Sequence, residues 1–455
     1  PAQSQVAAAA TAAPAPEEFR VPGLGMVPAG APRGAARQVV LFLSGDSGWT
    51  AGVAALAERL RDEGALVVGI DIRVFVRSLE TARSCAYPTG NVEEISRFVQ
   101  QRMKLPAYQR PIVAGYAAGA TMAYAIVAAA PNDTLAGAVS LSFCPDIRLR
   151  VPFCHMRGLK TARLRGGVGY ALTPYADSSI PWMVLQGDQD RVCAPADTAR
   201  FVAATGAARL FSLPNAARGL APLAAWEGAY LEAYRTVSRA NAAADVPRVA
   251  TPAVADLSLV EVPAAETSAT TADTMAIVLS GDGGWAELDK AVAQGLAARG
   301  VPVVGWSSLD YYWTPRTPEQ AALALARIVD HYSAVWSRPR VIVVGYSFGA
   351  DVAPFLVNRL PPASRSHVAS LGLLAPSERA EFEFHVLGWI GASRGTSLAT
   401  RPEMARLTVP TQCVVPEDDT APSCQAGNPR VRTVSAPAGH HFGGDYDRLV
   451  DLLLK

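Results

Sequence analysis

The chain has no surplus of charge. Its 41 basic and 40 acidic residues leave a net charge of +1, which excludes a general electrostatic attraction to nucleic acid or to anionic lipid, so any membrane contact has to be local. It also lacks a spanning segment. The longest apolar candidate, residues 117–130, stops at Pro131, short of the roughly 18 uninterrupted residues a membrane helix needs, and reads as a buried core helix. Metal chemistry lacks its usual signature, because no Cys or carboxylate cluster has ligand spacing and the adjacent His440 and His441, near Asp445, are neighbours of a kind that rarely point at one ion. No metal or organic cofactor is expected.

Cysteine is sparse but even in number. The six lie at positions 85, 144, 154, 193, 413 and 424, a usage that suits an oxidising compartment and stands against six buried thiols in a cytosolic protein. Spacing pairs Cys144 with Cys154 and Cys413 with Cys424, and elimination pairs Cys85 with Cys193. The first residue is Pro1, and residues 1–20 are an Ala/Pro-rich tail, as would remain after removal of a secretory signal. Secretion is the resulting expectation.

What the chain does have is an internal repeat. "LFLSGDSGW" at 41–49 returns as "IVLSGDGGW" at 277–285, and "VAGYAAGAT" at 113–121 returns as "VVGYSFGAD" at 343–351. A period of this length marks a duplicated domain rather than a solenoid. Within each copy short apolar runs alternate with helical ones: 275–280 reads as a strand, 286–300 as an amphipathic helix, and 317–336 as a helix with Thr317 as N-cap and Gln320 closing a capping box. The fold class is therefore α/β, two tandem related domains, each a mainly parallel sheet covered by helices. The domains are expected at 21–243 and 257–455, with 244–256 as linker and 257–262 as an edge strand.

"GYSFG" (345–349) follows an apolar strand and opens a helix, the arrangement of a nucleophile elbow that lifts Ser347 above a sheet and leaves the Phe348 amide to bind an oxyanion. Its bland reading is a strand-to-helix turn with a capping Ser. The fold orders its other parts as acid and then His. The loop 417–419 offers Asp419 as the acid, with Asp418 and then Glu417 as alternatives; "GHHFGGDY" (439–446) offers His440 as base with His441 as alternative. "SGDGGW" (280–285) is the oxyanion loop, with the Gly283 amide as second donor. Asp282, Asp310 and Asp351 are candidate contacts to a cationic substrate group, and Trp285, Tyr311, Tyr312, Trp313 and Phe348 to an apolar one. His155, His331, His367 and His385 read as packing or surface residues. The first copy has Ala117 in place of the serine, and its "LPNAARGLAP" (213–222) puts Ala217 and Arg218 where His440 and His441 stand. It keeps an acid, Asp190, and reads as a pseudoenzyme domain.

"SGDGGWAELDKAVA", "YYWTPRTPEQ", "GYSFGADVAPFLVNRLP", "EFEFHVLGWIG" and "GHHFGGDY" resemble the VirJ family of bacterial virulence proteins, and the two-domain layout resembles its longer, AcvB-type members. The resemblance implies an α/β-hydrolase fold, a nucleophile at Ser347, and hydrolysis of aminoacyl-phosphatidylglycerol, such as lysyl- or alanyl-phosphatidylglycerol, at the membrane surface in the periplasm. Pro416 stands where the family usually has Gly. Two rivals remain open: a general esterase or thioesterase, and a periplasmic binding or assembly factor for secretion-system or secreted proteins.

Overall fold

A computed structural model describes residues 14–21, 23–81, 85–156, 158–218, 222–243, 251–264, 271–383, 397–418, 424, 427–437 and 439–455. The chain divides into two compact units, Pro1–Asp245 and Val246–Lys455.

In the first unit the strands are β1 Glu17–Val21, β2 Gly25–Gly30, β3 Gln38–Leu43, β4 Ala65–Ile70, β5 Ile112–Tyr116, β6 Gly137–Leu141, β7 Asp146–Ile147, β8 Thr161–Arg163, β9 Tyr170–Leu172, β10 Trp182–Gly187 and β11 Ala208–Leu213. The main sheet runs β1-β2-β4-β3-β5-β6-β10-β11, and β7-β9-β8 form a small antiparallel sheet. From β4 to β11 the pairing is parallel, whereas β2 joins β4 antiparallel.

The second unit repeats this order without the outermost strand. Its strands are β12 Leu259–Val262, β13 Thr274–Leu279, β14 Val303–Trp306, β15 Arg340–Tyr346, β16 Val368–Leu374, β17 Arg379–Ala380, β18 Leu398–Ala399, β19 Thr411–Pro416 and β20 Val431–Ala436. They form a sheet β12-β14-β13-β15-β16-β19-β20, antiparallel at β12 and parallel elsewhere, while β17 and β18 pair separately. The central strands β3 and β13 are buried at every residue, as continuous apolar runs covered on both faces must be.

Local chemistry follows the expected signals. Thr317 and Gln320 form the capping box of the helix Pro318–Val335, with Oγ1 of Thr317 3.2 Å from the Gln320 amide and Oε1 of Gln320 3.0 Å from that of Thr317. The apolar run near residue 120 is the helix Ala118–Ala129, buried from Gly119 onward. Among the described residues no helix is long and apolar enough to cross a membrane. One part of the expected linker is structured, because Val254 is fully buried and Asp256 pairs with Arg327.

The disulfide pairing corrects the expectation in the first unit. Cys85 joins Cys154, and Cys144 joins Cys193. The reason is topological: β6 and β10 are neighbouring parallel strands, so the segments leaving their C-terminal ends, which carry Cys144 and Cys193, run side by side. Cys85 and Cys154 flank an isolated bridge between Ala86 and Phe153. In the second unit Cys413 joins Cys424, as spacing suggests.

Candidate active site

The turn at Ser347 begins with what its neighbours lack. A side chain on Gly345 would meet the carbonyl of Gly349 at 2.4 Å, and one on Gly349 would meet that of Leu279 at 2.4 Å, so β15 and the helix Phe348–Arg359 approach this closely only through glycine. Ser347 pays for the bend with φ 51° and ψ −116°, a conformation that costs a non-glycine residue on the order of 1–3 kcal/mol. It is held there from both sides. The Ser347 amide donates to Leu374 at 2.8 Å, and its carbonyl accepts from Asp351 at 3.0 Å.

Nε2 of His440 lies 2.9 Å from Oγ of Ser347. His441 turns elsewhere, with Nδ1 3.4 Å from the Tyr346 hydroxyl. That hydroxyl donates to the carbonyl of His440 at 3.2 Å, so the residue just before the serine ties down the backbone of the histidine. The role of Tyr346 went unread in the sequence, where it looked like the end of an apolar strand. Oδ1 of Asp418 accepts from the Gly439 amide at 2.7 Å, which fixes the same loop one residue earlier. Asp419, the first choice for the acid, lies outside the described residues, as does His385.

The loop expected to hold an oxyanion approaches Ser347 at Gly281, two residues before the expected donor. A side chain on Gly281 would reach within 3.7 Å of Cβ of Ser347, whereas one at Gly283 would meet nothing nearer than 4.0 Å. The start of this loop is held by a buried pair of serines: Oγ of Ser280 accepts from the Ser308 amide at 2.9 Å, and Oγ of Ser308 donates to the Ser280 carbonyl at 2.6 Å. Beneath the loop Asp289 is buried and Oδ2 accepts from Ala286 at 3.2 Å. Burial raises the Asp289 carboxyl to about 8, and the nearby charge of Asp282 adds to the rise.

The other candidates divide. Asp282 is exposed at this loop. Asp351 is buried, accepts from the Ser377 amide, and is raised by burial to about 8, with Asp282 and Glu381 adding to the effect; it is protonated at neutral pH and is no counter-charge there. Trp285 packs on Gly305 of β14, in space that any side chain at 305 would occupy, and joins the core. Tyr312 is also core: only 1% exposed, it lies 5.1 Å from the Phe348 ring and 5.9 Å from that of Phe382. Tyr311 and Trp313 are buried, and Phe348 is half-buried. His367 bonds the Pro339 carbonyl, His331 lies edge-on to Tyr332, and His155 is exposed. No metal-binding group of His, Cys, Asp and Glu occurs among the described residues.

The first unit keeps this frame without its chemistry. Ala117 has φ 53° and ψ −115°, its amide donates to Leu141 at 2.9 Å, and its carbonyl accepts from Thr121 at 3.1 Å. The Tyr116 hydroxyl donates to the carbonyl of Arg218 at 2.6 Å. By this contact it is Arg218, and not Ala217, that stands where His440 does. Its guanidinium lies 3.4 Å from the buried Asp190 and against both sulfurs of the Cys144–Cys193 disulfide.

The VirJ family, described as a bacterial virulence protein, matches residues 37–142 and 273–455, more than half of the chain. The chain belongs to the VirJ family. The two matched stretches are the β3-to-β6 part of the first unit and nearly all of the second, so the elbows at Ala117 and Ser347 both fall inside the VirJ match. Among curated proteins no relative matches the sequence. Solved structures similar to it include Est1E from Butyrivibrio proteoclasticus, 11% identical over 50% of this chain and 100% of that one, with a TM-score of 0.34. The apo form of Thermogutta terrifontis esterase 2 is 17% identical over 51% of this chain and 97% of its own, with a TM-score of 0.36. An α/β serine hydrolase without lid from Xanthomonas campestris is 16% identical over 49% and 94%, with a TM-score of 0.32. The strand order and the strained turn of this chain are themselves those of an α/β-hydrolase.

Proposed function

We propose that the second unit is a serine hydrolase that cleaves the aminoacyl ester of aminoacyl-phosphatidylglycerol, releasing the amino acid and phosphatidylglycerol in the periplasm. The observation that carries the hydrolase reading is the 2.9 Å approach of His440 Nε2 to Ser347 Oγ on a strained elbow. The substrate class is what the resemblance to AcvB-type members implies, and three disulfides support a compartment outside the cytoplasm.

In this mechanism His440 takes the Ser347 proton as Oγ attacks the ester carbonyl. The oxyanion is held by the Phe348 amide and by the loop that begins at Gly281. Collapse breaks the ester C–O bond, and His440 passes its proton to the leaving glycerol alkoxide. Water then gives a proton to His440 and attacks the acyl carbon, and the returned proton frees Ser347. An acid in the 417–419 loop orients the imidazole, with Asp419 the leading choice and Asp418 the alternative, and Gly283 remains the alternative loop donor. Asp282, exposed beside the nucleophile, is the carboxylate best placed for the aminoacyl ammonium.

The test is release of free amino acid from purified lysyl- and alanyl-phosphatidylglycerol by the wild type and by Ser347→Ala. Loss of release in the variant supports the proposal. Hydrolysis of short nitrophenyl esters with none of either lipid would replace it with a general esterase, and full complementation of a deletion strain by Ser347→Ala would replace it with a binding or assembly factor.

A further inference from the structure

The near-neutral total hides one strongly basic segment. Residues 147–176 contain six Lys and Arg (Arg148, Arg150, Arg157, Lys160, Arg163 and Arg165) and no Asp or Glu, in a chain whose net charge is +1. The whole connection from β6 to β10, residues 142–181, adds only Asp146 and Asp177 to these six cations, whereas the matching connection of the second unit, residues 375–410, carries four Arg and four Glu. The excess therefore belongs to the first unit and is no requirement of the fold.

The structure gathers these cations at one end of a small sheet. β8 and β9 form a hairpin in which the Leu164 amide donates to Gly169 at 3.1 Å. Arg163 sits opposite Tyr170 at the base of the tip, and Arg165 within it. Arg148 lies alongside, because a side chain on Gly169 would reach within 3.1 Å of its Cα. All three arginines are exposed, as are Arg150 and Lys160, and none of the five is joined to a carboxylate by an ion pair among the described residues. Asp146 lies on β7 of the same small sheet, and Glu80 accepts from the Arg150 amide at 2.9 Å. At the point of the hairpin Val168 is 58% exposed. The arrangement is anchored. Ile147, Tyr170 and Leu172 are buried beneath it, and the Cys85–Cys154 disulfide staples the segment to the unit.

We propose that this hairpin docks the protein on the anionic surface of a lipid bilayer, with Arg148, Arg163 and Arg165 facing the headgroups and Val168 entering between them. Unpaired, exposed guanidinium groups around an apolar tip match a surface that is anionic outside and apolar beneath. Nucleic acid fits less well, since the disulfides belong to compartments where it is not the partner. The proposal stands whichever ester the second unit cleaves.

The test is cosedimentation of the full chain with vesicles of phosphatidylcholine alone and with about one-third phosphatidylglycerol, a fraction chosen to give a strongly anionic surface. Binding is expected only to the anionic vesicles and should weaken as salt is raised. Each neutralised arginine should weaken it roughly five-fold, so Arg148→Gln/Arg163→Gln/Arg165→Gln should lose about a hundred-fold. Val168→Asp, at an exposed tip, tests the apolar part without touching the core. Melting transitions that match the wild type in both variants show that the first unit still folds. Equal binding to neutral vesicles overturns the proposal, and so does anionic binding that both folded variants retain, which would place the lipid-binding surface elsewhere on the chain.

Discussion

Ala117 and Ser347 share one backbone conformation, φ 53° and ψ −115° against φ 51° and ψ −116°. The strained turn thus persists in the first unit, where there is no hydroxyl to present. Both turns are held by amide bonds to the neighbouring strand, from Ala117 to Leu141 and from Ser347 to Leu374. The fold, and not the chemistry, enforces the bend.

Alanine is consequently already known to fit this turn. Ser347→Ala is expected to fold with a melting temperature close to the wild type and to lose hydrolysis by roughly 10⁴-fold or more, as removal of a triad nucleophile does. Calorimetry beside an ester assay checks both halves. A variant that melts far below the wild type would mean that the hydroxyl is structural.

Restoring the hydroxyl to the first unit should not restore activity. In Ala117→Ser, made in a Ser347→Ala background, the nearest side chain at the base position is Arg218, which pairs with Asp190 and cannot accept a proton. No rate above background is expected. Adding Arg218→His would set an imidazole beside a buried carboxylate, and any rate that emerged only in that combination would show that the frame is intact.

Tyr346→Phe removes the hydroxyl that donates to the His440 carbonyl and leaves the ring. We expect kcat to fall about ten-fold with KM little changed, because small displacements of a base are costly in the chemical step. Unchanged kcat would mean that the Gly439 contact to Asp418 holds the loop alone.

These residues show where a sequence stops being legible. The repeat, the capping box of Pro318–Val335 and the elbow were readable because each is a local pattern. The pairing of Cys144 with Cys193 was not, since it follows from β6 and β10 being neighbours in the sheet while 40 residues of chain intervene between Leu141 and Trp182. Trp285 looked like a binding aromatic because the space it fills is made by the missing side chain of Gly305, on another strand. Asp351 looked like a counter-charge. Only its burial reveals a carboxyl that is neutral at pH 7.

That burial makes stability depend on pH. Asp351 and Asp289 are each raised from 3.8 to about 8, chiefly by desolvation, so the folded protein binds their protons more tightly than the unfolded chain does. Their contribution is complete below about 4 and is lost as pH rises towards 8. Asp351→Asn and Asp289→Asn keep the shape and cannot ionise. Between about pH 5 and pH 8 each should flatten the fall in unfolding free energy by at least about 1.4 kcal/mol, the value of one pKa unit. Urea titrations at three pH values check this, and wild-type and variant curves that stay parallel would sink it.

The disulfides should separate stability from activity. Cys85–Cys154 closes a loop with a sequence separation of 69, and Cys413–Cys424 one of 11, so on chain entropy alone removing the first costs about 4 kcal/mol and the second about 3 kcal/mol. Activity should follow the opposite order. Cys413 is a fully buried residue of β19, and its bridge to Cys424 closes the loop that leaves this strand and carries Asp418. Opening it frees that loop and, through the bond from Gly439 to Asp418, the segment bearing His440. We therefore expect Cys413→Ala/Cys424→Ser to lose about ten-fold or more in kcat while remaining the more stable of the two double variants, since base placement dominates the chemical step. Cys85→Ser/Cys154→Ser should melt lower yet turn over normally below its melting temperature. If both pairs of substitutions lowered kcat in proportion to stability, the short bridge would have no special tie to the site.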